Sequence, residues 1–162
     1  FATSLILLVL ILSAALIGFA WLYQGSDAAR MYTRLAIVCG VITGALFVGV
    51  ALTPENAAMD LHVTLTNWAF RLFPTVTVFL GLAAYRASRD RWIPLTWFAL
   101  TTVLAAFVAF LTWGPPFSTP RGLVANVVAQ KAVVVCVFSA VAFLCARTAL
   151  TASLVSSVQS DG

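Results

Sequence analysis

Apolar residues in this chain come in long unbroken runs, not in the alternating or one-faced patterns of half-buried strands and helices. Five runs stand out, at about 1–23, 35–53, 62–85, 95–113 and 123–146. Each is close to the ~20 apolar residues that cross a bilayer core. The pattern therefore predicts an all-α fold, a polytopic transmembrane bundle of five helices. The polar connections, 24–34, 54–61, 86–94 and 114–122, are short. Helices tied this tightly form one domain over 1–162. Pro74 falls inside the third run, where it removes a backbone hydrogen bond and predicts a kink. Gly40 and Gly44 have the spacing that lets membrane helices approach closely; ordinary packing in the bundle and a dimer face both fit it. Trp21 and Tyr23, at the end of the first run, suit the headgroup level.

Composition sharpens the class. Only 9% of residues are charged, against roughly 25% in soluble domains, and 62% are hydrophobic with a mean hydropathy of +1.05. That leaves too little polar surface for a soluble particle. The net charge of +4 is explained by topology and does not point to nucleic acid. Arg30, Arg34, Arg86, Arg89, Arg91 and Arg147 fall on one side if the runs alternate, and the opposite connections hold Arg121. The positive-inside rule puts the six-Arg side and the C-terminus in the cytoplasm, with Phe1 and the connections 54–61 and 114–122 outside. Cys39, Cys136 and Cys145 lie in apolar runs with no CxxC pair and read as small buried hydrophobes.

The chemistry-bearing residues gather around PENAAMDLHVTLTNWAFRLFP, residues 54–74. Arg71 is nine residues past His62, and Lys131 is eight past Leu123. At ~1.5 Å per residue, both cations lie roughly 12–14 Å deep in a ~30 Å core. An isolated charge there costs at least ~2.5–3.5 kcal/mol. The pair is therefore expected in one shared interior, as structural ion pairs or snorkelling side chains, or as a site for an anion such as a lipid phosphate or carboxylate. Candidate members of this polar cluster are Glu55, Asp60, His62, Asn67, Arg71, Asn126, Gln130 and Lys131. One His and no Cys pair argue against a zinc site, and a bis-His haem is impossible within this chain. GxSxG, HExxH and P-loop patterns are absent. No catalytic residue, metal or cofactor is expected. Membrane lipids and other membrane subunits are the expected partners. The leading expectation is a lipid-binding or accessory subunit of a larger membrane complex. The alternatives are a small transporter component and a lipid-modifying enzyme that uses His62 and Asp60.

Three segments, FATSLILLVLIL, VGVALTPENAAMDLH and RGLVANVVAQKAVVV, resemble parts of the bacterial domain-of-unknown-function family nine-nine-eight of multi-pass membrane proteins. The likeness lies in an early helix, in a Pro-acid loop closing on a His, and in a Gly followed by a polar-basic pair early in the last helix. It implies a bacterial plasma membrane, and a sixth helix preceding Phe1. It implies no reaction. Where that family usually has Arg, this chain has Lys131, which cannot make the planar bidentate contact of a guanidinium.

Overall fold

The computed structural model describes residues 2–53, 55–116 and 119–160. It is all-helical, and no strand occurs among the described residues. The helices are α1 (Ala2–Leu22), α2 (Asp27–Leu52), α3 (Glu55–Ala87), α4 (Trp92–Trp113) and α5 (Pro120–Ser160). Four stretches, Asp27–Leu52, Ala58–Ala87, Trp92–Trp113 and Pro120–Thr151, are long and apolar enough to cross a membrane, and α1 contributes the apolar stretch Val9–Leu22. The architecture is that of an integral membrane protein.

The helices are longer than the apolar runs. α2 begins at Asp27, not near 35, because Ser26 caps it by accepting a hydrogen bond from the Ala29 amide at 3.2 Å and Asp27 faces the positive end of the helix dipole. An ion pair between Asp27 and Arg30 follows one turn on. The expected loop 54–61 is likewise helical from Glu55, with one break at Ala58 (φ −151°, ψ 57°). Pro74 stands inside α3 with helical dihedrals on both sides, and the break at Ala58 is a separate feature sixteen residues earlier. α5 runs on to Ser160, past the expected end at 146. Apolarity answers only the demand of lipid, ~20 residues per crossing, whereas a helix runs as far as its backbone hydrogen bonds and caps carry it.

Packing is mainly sequential. α1 lies on α2, α3 packs between α2 and α4, and α5 packs on α4. The centre and the edge differ in cover: 44% of the apolar window of α3 is buried, against 17% for α5. Ala36, Ala69, Ala83 and Ala84 are fully buried where backbones approach. Gly40 serves the same end. A Cβ there would overlap the Leu16 side chain, and one at Gly44 would meet Val9 at 3.6 Å. Both glycines thus face α1 and make ordinary bundle packing. Phe70 joins α3 to α4 and α2 by edge contacts with Phe107 (4.8 Å) and Phe47 (5.3 Å), the geometry that aromatic quadrupoles favour.

The two ends of the bundle differ in chemistry. At one end, Tyr23 closes α1 and its hydroxyl accepts from Trp97 Nε1 at 3.2 Å, while Gly25 approaches Ala87. Arg30, Arg34, Arg86, Arg89, Arg91 and Arg147 therefore share this end. At the other end lie Thr53, Asp60, His62, Trp113 and Arg121. Trp113 (82% exposed) and Trp21 (76%) stand at the rims, where amphipathic rings settle.

Candidate functional site

The two membrane-depth cations do not share an interior. Arg71 and Lys131 are both exposed. On α3 the buried positions Ala69, Val76, Thr77, Leu80 and Ala84 define one side; at ~100° per residue Arg71 stands roughly 170° from its centre. On α5 the buried line is Asn126, Val133, Val137 and Leu144, and Lys131 stands roughly 140° from it. Each cation is on the outer side of its own helix. The expectation of a shared site assumed that burial depth in the membrane means burial in protein. In lipid the two separate, because an outer helix face lies deep in the bilayer and outside the protein at once.

Their depth holds. Lys131 lies ~15 Å along α5 from Arg121 and ~24 Å from Arg147. Arg71 lies ~16 Å along α3 from Asp60 and ~22 Å from Arg86. Helical side chains lean toward the N-terminus of their helix, and α3 and α5 both start at the His62 end. Arg71 follows this lean: its guanidinium lies 5.9 Å from the ring of Trp68, three residues earlier, within range of a cation–π attraction.

The other candidate residues are scattered or have structural duties. His62 is buried, and its Nδ1–H donates to the Thr53 carbonyl at 2.7 Å. A carbonyl only accepts, so Nδ1 carries the proton. This bond ties the end of α2 to the start of α3. Asp60 is exposed, and Asn67 and Gln130 are half-buried. The Glu55 side chain lies outside the described residues. Asn126 is buried, and its amide donates to the carbonyls of Gly122 (2.8 Å) and Pro115 (3.3 Å), which fixes the entry into α5. Among the described residues no three His, Cys, Asp or Glu side chains converge on a metal-sized space.

Two features escaped the sequence reading. The first is an ion pair at the Arg-rich end. Arg147 donates through Nε and Nη2 to Asp90 Oδ2 at 2.9 and 2.7 Å, and the Trp92 amide donates to Oδ1 at 3.0 Å. The Trp92 amide and the Arg147 guanidinium hold the Asp90 carboxyl below its ordinary range, against partial burial that pushes it up. A lone acid within RASRDRW was the available signal. The second is a central apolar cavity of about 70 Å³ lined from all five helices. No pattern along one strand of sequence points to a void shared by five.

No family model, curated protein or solved structure matches this chain.

Proposed function

We propose that this protein is a non-catalytic accessory subunit that docks laterally on another membrane protein through the outer face of α5, with Lys131 meeting a carboxylate of the neighbour. The observation that carries this reading is the placement of Lys131: exposed, deep along a helix of which only 17% of the apolar window is buried by its own chain. An ammonium at that depth is costly against lipid, and a partner carboxylate offsets the cost. Arg71 is better provided for, because Trp68 stacks with it, and its lean toward the headgroups suits an anionic lipid phosphate. That is the second reading. Transport has less support, since neither cation lines a path between helices. A lipid-modifying role for His62 and Asp60 has less support too, because His62 is buried where it joins α2 to α3 and Asp60 is exposed. By the positive-inside rule, we place the Arg-rich end and the C-terminus in the cytoplasm of a bacterial plasma membrane.

A photo-crosslinking side chain at position 131, activated in native membranes, tests the reading. A discrete protein adduct is expected, and Lys131→Met should weaken copurification of the same protein. Lipid adducts alone would overturn it.

A further inference from the structure

We propose that the central cavity is a binding site for a small uncharged molecule with an apolar body and a single hydrogen-bonding oxygen, held by the Thr43 hydroxyl. The inference is independent of the reading of Lys131. The cavity, about 70 Å³, is walled mainly by apolar side chains, among them Leu16, Val76, Leu100 and Val137. Thr43 of α2 lines it, is 4% exposed, and its Oγ1 has no hydrogen-bond partner.

Thr43 shares this orphaned state with Thr33, which does not line the cavity, and both depart from the habit of the other helical threonines. Thr66, Thr96, Thr101, Thr102, Thr112 and Thr148 each donate to the carbonyl four residues back, as helical threonines readily do. Cys39 offers Thr43 the same carbonyl, and it is not used. Thr77, also on the wall, is already committed to the Pro74 carbonyl and to Thr101. A buried unpaired hydroxyl and an unfilled cavity both destabilise, and a ligand oxygen at Thr43 would relieve both.

Size and polarity narrow the ligand. A cavity of ~150 Å³ accepts benzene, and one water occupies ~30 Å³ of liquid. The space here therefore takes a few heavy atoms. Ser13, Thr43 and Thr77 are the hydroxyls on the wall, Thr77 is already engaged, and the rest of the wall is mainly apolar, which favours an occupant with an apolar body over water. No charged side chain lines the cavity, which excludes ions.

2-Propanol is a suitable probe. The full chain, with ¹³C-methyl valines, is placed in nanodiscs of deuterated lipid and titrated, following Overhauser contacts from the probe to Val76 and Val137. Saturable contacts are expected. Thr43→Val keeps the shape and removes the hydroxyl, so binding should weaken about fivefold, the worth of one neutral hydrogen bond. Gly44→Ala, whose new methyl has room beside Val9, should narrow the space and also weaken binding; it serves if the valine variant fails to fold. Contacts that never saturate, contacts from water alone, or unchanged affinity in the variant that folds would each overturn the proposal.

Discussion

The attachment of α5 offers a quantitative test. This helix packs on α4 alone among its substantial neighbours, and little of its apolar window is fully buried. The Arg147–Asp90 pair is thus a large part of what fixes its Arg-rich end against the turn between α3 and α4. The Asp90 side chain is 12% exposed and that of Arg147 is 36% exposed. The pair lies between an exposed ion pair, worth ~0–1 kcal/mol, and a buried one, whose breaking costs ~3–5 kcal/mol. Two charge-assisted hydrogen bonds in a half-shielded site place the loss in Arg147→Met near 1–3 kcal/mol. Asp90→Asn should cost a similar amount, since it weakens the contacts to both Arg147 and the Trp92 amide. Reversible unfolding in mixed micelles measures each, and the double variant should cost clearly less than the sum of the singles. The pH dependence has a fixed sign. The Asp90 carboxyl is held below its unfolded value of about 4, so its contribution is full above that value and is lost as pH falls through the lower, folded one. Wild type and Asp90→Asn should therefore converge in stability in acid. Additive single costs, or a stability gap that widens below pH ~4, would refute this role for the pair.

Two further outcomes follow from the packing and the ends. Gly40→Ala should destabilise the α1–α2 contact by ~1–3 kcal/mol through overlap with Leu16, while Gly44→Ala should stay within ~1 kcal/mol; equal costs in a melting series would contradict the assigned faces. Single cysteines at Arg89 and Thr119, in a background lacking Cys39, Cys136 and Cys145, should label from opposite sides of the membrane, with Thr119→Cys reacting with an impermeant reagent outside.

The sequence made the class plain because lipid imposes one simple demand, about 20 apolar residues per crossing, and four of the helices, α2 to α5, meet it. Helix ends were less legible. Ser26, Asp27 and the segment around Ala58 fall outside the hydrocarbon, where polar residues and helix coexist and the apolar signal is silent. The candidate site was legible only in depth. Counting residues from His62 and Leu123 placed Arg71 and Lys131 along their helices, but which side of a helix faces lipid depends on tertiary packing. α5 carries no one-sided apolar pattern, so its buried line through Asn126 and Val133 leaves no periodic trace. The link between Asp90 and Arg147 spans 57 positions and arises only when α5 returns past the α3–α4 turn.

The outward placement of the two cations is tested most directly by collision accessibility of nitroxide labels in bilayers. Labels replacing Arg71 and Lys131 should be strongly relaxed by molecular oxygen, which concentrates in lipid, as should one replacing the exposed Val135. Labels at the buried Ala69 and Val133 should be shielded. Shielding of the labels at 71 and 131 to the level of Ala69 and Val133 would place both cations inside the bundle and contradict the lateral docking face.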